Sequence, residues 1–71
     1  MIRVAILTMS DKGSRGERED ESGEVIKKMV KEIPAEVVFY EIIPDEIEII
    51  KDRLISVSDS EKADIIITTG G

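Results

Sequence analysis

Three short stretches of this sequence combine residue types that can hold an anionic ligand. The first starts at Thr8 and runs through Ser10, Asp11, Lys12, Gly13, Ser14, Arg15 and Gly16, then past Arg18 to Gly23. Its glycines leave backbone N–H groups open, its hydroxyls donate hydrogen bonds, and Lys12, Arg15 and Arg18 bring positive charge. Those are the parts a phosphate requires, and a following helix N-terminus would add its dipole. The alternative is a solvated, charged loop. No G-x-x-x-x-G-K-[ST] pattern occurs, so this is not a P-loop. The second stretch, Thr68-Thr69-Gly70-Gly71, pairs hydroxyls with two glycines that let a backbone approach a phosphate closely, although any tight turn uses the same pair. The third is Pro44-Asp45-Glu46. A carboxylate at Asp45 could coordinate Mg²⁺ or orient a nucleophile, and it could equally be a helix N-cap.

The elements that must position these stretches are read from periodicity. Arg3 to Thr8 is a short apolar run with the look of a strand buried on both faces. From Ser22 or Gly23 to Glu32 the period becomes helical, with Val25, Ile26, Met29, Val30 and Ile33 on one face, Ser22 as N-cap and Pro34 as stop. Val37 to Tyr40 and Ile42-Ile43 form a second strand, interrupted at Glu41 and closed by Pro44. A second helix is expected from Asp45, which with Glu48 has capping-box spacing, and Ile47, Ile50, Leu54 and Val57 carry its apolar stripe. Ala63 to Thr69 is a third strand. The order β-α-β-α-β implies parallel pairing, strand order 2-1-3, and an α/β three-layer arrangement that is half of a doubly wound sheet. In such sheets ligands sit beyond the carboxyl ends of the strands where the order reverses, between the loops after strands one and three.

Composition narrows the chemistry. The sequence has 71 residues, no histidine and no cysteine, so the usual neutral-pH general base and thiolate metal sites are absent from it. Any metal would be a hard cation held by carboxylates and phosphates. A net charge of −6 disfavours nucleic acid and anionic membrane as partners. With no bilayer-length apolar run and no signal-peptide pattern, the default location is cytoplasmic.

At this point the residues resemble a known family. Leu7-Thr-Met-Ser-Asp11, then Gly16 and Glu19-Asp20-Glu-Ser22-Gly23, then Ile43-Pro-Asp-Glu46, then Ile67-Thr-Thr-Gly-Gly71 are similar to the successive signatures of the MogA/MoaB proteins of molybdenum cofactor biosynthesis. The resemblance runs along the whole chain. It implies a homotrimeric α/β protein that uses ATP and Mg²⁺ to adenylylate the terminal phosphate of molybdopterin, then passes the product to a molybdate-inserting partner protein. By motif, Thr69, Gly70 and Gly71 would bind the pterin phosphate, with Thr8, Ser10 and Asp11 lining the same crevice. Asp45 would be the catalytic or Mg²⁺-orienting carboxylate. Ser22, with Asp20 and Gly23, falls at the loop–helix junction, as a ligand-binding or a structural residue.

The family pattern continues beyond Thr-Gly-Gly into a further Asp-containing loop that this sequence does not include. Residues 1–71 are therefore expected to be the N-terminal part of one molybdopterin-binding domain, inactive alone, with an exposed sheet edge beside the third strand. Two other readings are a flavodoxin-like FMN-binding electron-transfer domain, for which Phe39 and Tyr40 are the only aromatics, and a noncatalytic assembly half-domain.

Overall fold

The computed structural model describes residues 1–70. Strand β1 (Ile2–Met9) is followed by a short helix α1 (Asp11–Ser14), helix α2 (Glu21–Val30), strand β2 (Ala35–Ile43), helix α3 (Ile47–Asp59) and strand β3 (Ile65–Gly70). All three strands are parallel and lie in the order β2-β1-β3, as the periodicity predicts. The half doubly wound sheet is present, with β1 at its centre.

Strand alternation divides the side chains of β1 between two faces. Val4 and Ile6 join Val30 and Ala35 in a core cluster, against which Ile26, Val37, Tyr40 and Ile67 pack, so this face belongs to α2. Ala5 and Leu7, both fully buried, point the other way. Their register partners are Phe39 and Glu41 of β2, and the Glu41 carboxylate accepts from Arg53 Nε of α3 at 2.7 Å. Helix α3 therefore covers the second face and buries Val57. That contact explains why Glu41 does not interrupt β2: its charge is paired across the sheet face. The register slips between Val4 and Ala5, leaving Val38 as the extra residue of a bulge.

Several local expectations are corrected. Helix α2 is capped by Asp20, not Ser22: the Asp20 side chain accepts from Gly23 N, and the helix begins at Glu21. An Asp three residues before the bonded N–H can reach it with its side chain, whereas Ser22 already lies in the first turn. Of the expected apolar face, Ile26 and Val30 pack on the sheet beside the buried Gly23, whereas Val25, Met29 and, beyond the helix, Ile33 are exposed, since three strands are too narrow to cover the whole face. Helix α3 starts later than expected. Its cap position is Glu46, with no side-chain capping bond, so the Asp45–Glu48 capping box does not form. Ile47 is left 78% exposed.

The amino end of β3 is held to β1 by a staple. Arg3 N and Asp64 Oδ2 are 2.9 Å apart, Asp64 N donates to Arg3 O at 2.8 Å, and Arg3 Nη2 donates to Asp64 Oδ1 at 2.9 Å. Arg3 Nη1 also reaches the carbonyl of Glu61, a residue at φ 57°. Hydrogen bonding by Arg3 holds the Asp64 carboxyl down at about 2, well below the ordinary carboxylate range. A depressed folded pKa stabilises above the unfolded value and is lost as pH falls through the folded one. Asp64→Asn is therefore expected to lower the urea midpoint at neutral pH, with the gap to the parent closing between about pH 4 and about pH 2. A gap that is constant with pH would remove the staple from the account.

Candidate functional site

Parallel strands place all their carboxyl ends on one side, so the loops after β1, β2 and β3 meet there. The loop after β1 is anchored before it reaches any ligand. Ser10 N donates to Ile43 O of β2 at 2.8 Å, and the Ser10 hydroxyl accepts from Gly13 N at 3.0 Å, capping α1. Asp11 Oδ1 accepts from the backbone N–H of Asp45 at 2.9 Å. This bond joins the loop after β1 to the loop after β2. Asp11 and Asp45, 34 residues apart, are thereby brought side by side. The Asp45 carboxylate is exposed and takes no hydrogen bond among the described residues.

Beneath the same loop lies a polar network centred on Asp20. Its Oδ2 accepts from the Thr8 hydroxyl at 2.6 Å and from the Tyr40 hydroxyl, while Oδ1 accepts from Gly23 N at 3.0 Å. Burial pushes the Asp20 carboxyl up, but the bonds from Thr8, Tyr40 and Gly23 and the nearby charge of Lys27 outweigh it, and the group is held below its ordinary range. Burial and the bond to Asp20 push the Tyr40 phenol up to about 12. Lys27 Nζ sits 3.8 Å from the centre of the Tyr40 ring. One carboxylate thus ties the end of β1, the middle of β2 and the start of α2 together.

Above this network, between the ends of β1 and β3, is a polar crevice of about 270 Å³. Thr8, Ser10, Arg18, Ser22, Thr69 and Gly70 line it. It lies at the reversal of strand order, where the topology predicts a ligand site. Thr8 and Thr69 are register partners, as are Met9 and Gly70. Gly70 has φ +127°, and a Cβ there would overlap the Met9 carbonyl, so only glycine permits this close approach of backbones.

Among the site residues read from sequence, Thr8, Ser10, Ser22, Thr69 and Gly70 meet in this crevice. Asp11 and Asp45 form a separate pair at its β2 side and do not line it. Gly71 falls outside the described residues. Sequence reasoning passed over the Asp20–Tyr40 contact. Asp20 carried a usable signal, a cap-type residue three positions before the buried Gly23. Tyr40 carried none, because its partner is set by the packing of α2 on β2.

Comparison with known proteins bears on what the crevice is for. The family described as a probable molybdopterin binding domain matches residues 5–71. The chain belongs to this family. Among curated relatives of this molybdopterin-binding family, the molybdopterin adenylyltransferase of Pyrococcus furiosus is 42% identical over 73 residues, covering 99% of this chain and 40% of that protein. The molybdopterin adenylyltransferase of Helicobacter pylori is 38% identical over 73 residues, with 99% and 41% covered. The molybdenum cofactor biosynthesis protein B of Bacillus cereus is 34% identical over 70 residues, with 99% and 40% covered. The chain thus spans about two-fifths of the length of these relatives. The solved structure of the molybdopterin biosynthesis enzyme MoaB of Thermus thermophilus superposes with a TM-score of 0.88 at 47% identity, over 96% of this chain and 43% of that one. Membership of the molybdopterin-binding family sets aside the flavodoxin-like reading. Phe39 and Tyr40 lie along β2, and neither lines the crevice.

Proposed function

We propose that this chain acts in molybdenum cofactor biosynthesis, binding molybdopterin in the crevice between the ends of β1 and β3. The observation that carries this is a hydroxyl- and glycine-lined crevice at the sheet's reversal point in a member of the molybdopterin-binding family. Thr69, Gly70 and Gly71 would present hydroxyl and N–H donors to the pterin phosphate, with Ser10 and Ser22 closing the sides. Thr8 already donates to Asp20, so its part is to shape the floor and to offer its hydroxyl oxygen as an acceptor.

The whole domain would carry out adenylyl transfer from ATP. A terminal phosphate oxygen of molybdopterin attacks the α-phosphorus of ATP, a new P–O bond forms, and the bond to pyrophosphate breaks. Such a step depends on positioning and charge neutralisation and needs no histidine. Mg²⁺ would neutralise charge on the ATP phosphates and the departing pyrophosphate. The donor set fits a Mg²⁺ shared with phosphates: Asp45 offers an exposed, unbonded carboxylate beside Asp11. Asp45 would hold the ion, and Asp11 would hold the Asp45 backbone in place.

Residues 1–71 supply one part of this domain. The assembled protein is read as a cytoplasmic homotrimer that delivers its product to a molybdate-inserting partner. No helix among the described residues is long and apolar enough to cross a membrane.

The test is equilibrium binding of molybdopterin, followed by AMP transfer from ATP with Mg²⁺. Binding with no transfer by residues 1–71, and transfer only when the remainder of the domain is supplied, is the expected result. Absence of molybdopterin binding by both forms would favour a purely structural half-domain. Asp45→Asn is expected to leave the urea midpoint nearly unchanged, because the group is exposed and caps nothing. The same change should weaken Mg²⁺–ATP binding by the whole domain by at least about tenfold, measured calorimetrically. A large loss of stability instead would return Asp45 to a structural role.

A further inference from the structure

We infer that Arg18 is the cation that recognises the terminal phosphate of the ligand in the crevice, a residue that sets affinity for phosphorylated over unphosphorylated pterin. This rests on the reading of the crevice as the molybdopterin site. The chain carries a net charge of −6, so an anionic ligand needs a local source of positive charge. Arg18 is the one charged side chain among those lining the crevice. The other cations of this loop are elsewhere: Arg15 is paired with Glu17, and Lys12 does not line the crevice. Arg3, Lys27 and Arg53 are engaged with Asp64, Glu24 and Glu41. Arg18 makes no ion pair among the described residues.

The carboxylates that flank it in sequence form no ion pair with it among the described residues. Neither Glu19 nor Glu21 lines the crevice itself: Glu19 borders a groove toward Tyr40 and Lys28 that Arg18 also borders, and Glu21 reaches the neighbouring pocket beside Ser22 and Thr69. Asp20 is turned inward onto Thr8, Tyr40 and Gly23. Ser10, Ser22 and Thr69 line the crevice together with Arg18. A planar guanidinium can take two phosphate oxygens at once, which a hydroxyl cannot.

The experiment titrates ¹⁵N-labelled protein with inorganic pyrophosphate and follows the backbone amides of Ser22, Thr69 and Gly70. Saturable shifts are expected, with Kd raised about tenfold in Arg18→Gln and by less than about twofold in Arg15→Gln. Arg18→Lys should fall between, since it keeps the charge and loses the fork. No saturable shift in the parent, or equal losses in the Arg15 and Arg18 variants, would overturn the assignment. A second arm measures molybdopterin and its dephosphorylated form against the same proteins. Phosphate-dependent molybdopterin binding that Arg18→Gln does not weaken sinks the role of Arg18 while the crevice reading stands. Pyrophosphate binding that depends on Arg18, with no binding of either pterin, keeps the anion site and removes the pterin reading.

Discussion

Gly23→Ala is expected to destabilise the fold by about 3 kcal/mol, the opposite sign from the usual effect of this change inside a helix. In an exposed helix interior, Ala is favoured over Gly by about 1 kcal/mol. Here a Cβ would overlap Asp20 Oδ2 and come within 2.8 Å of Tyr40 Cε1. Neither neighbour is the loose end of a flexible chain. The Asp20 carboxylate is held by three donors, and the Tyr40 ring is tethered by its hydroxyl and covered by Lys27. Making room means breaking the network or moving α2 off β2, and overpacking of this kind costs about 1–3 kcal/mol before any hydrogen bond is lost. A chain of 71 residues has a total stability of roughly 4–11 kcal/mol, so the change removes a large share of it. Urea denaturation of the two proteins measures it. A gain in stability would show that the helix sits farther from Tyr40 than the structure has it.

Asp20→Ala is expected to cost about 2–3 kcal/mol, and the loss should depend on pH. The change removes an N-cap, worth about 1 kcal/mol, and leaves the Thr8 and Tyr40 hydroxyls without their acceptor, at about 1–3 kcal/mol for a buried group. Thr8 is only 4% exposed, so water replaces the lost acceptor poorly there. The two substitutions share contacts, so their effects should not add. In the Asp20→Ala background, Gly23→Ala should cost markedly less than it does alone, because the overlap with the carboxylate is gone.

The pH dependence has two limbs. Asp20 has a depressed folded pKa, so its contribution is complete above the ordinary carboxylate range and is lost as pH falls through the folded value. The gap between parent and Asp20→Ala should therefore close in acid. Tyr40 has a raised folded pKa of about 12, so the network stabilises fully below the ordinary phenol pKa near 10 and weakens as pH rises toward 12. Tyr40 is the one tyrosine in the sequence, so its ionisation can be followed directly by ultraviolet absorbance. In Asp20→Ala the phenol should titrate at lower pH than in the parent. An unchanged phenol titration would argue against the bond.

What the sequence makes legible here follows from how far apart in the chain the interacting residues lie. The apolar run at Val4–Leu7 and the change of period after Gly23 are local, and they announce strand and helix without help from the rest of the fold. The parallel order β2-β1-β3 follows from alternation of elements, because short parallel strands must be joined by crossovers. Caps are less secure. Asp45 and Glu48 have the spacing of a capping box, yet the Asp45 backbone is drawn to Asp11 by a bond between two loops. That bond holds the segment extended past Asp45, and the helix starts only at Ile47.

The motif residues Thr8, Ser10, Ser22, Thr69 and Gly70 converge as the topology requires, since parallel strands put their carboxyl ends on one edge. By itself, then, the sequence determined the three strands and the two longer helices, their order, the edge where the motif residues meet and the family to which the chain belongs; the short helix α1 was not legible in it. Tertiary structure alone decided which polar residue serves which partner. It joined Asp20 to Tyr40 across twenty residues and left Arg18 as the cation in the crevice. The physical reason is that hydrogen bonds and ion pairs act over about 3 Å. Secondary structure can be read from neighbours in the chain, but a contact at that range exists only after α2 and β2 have packed in one register.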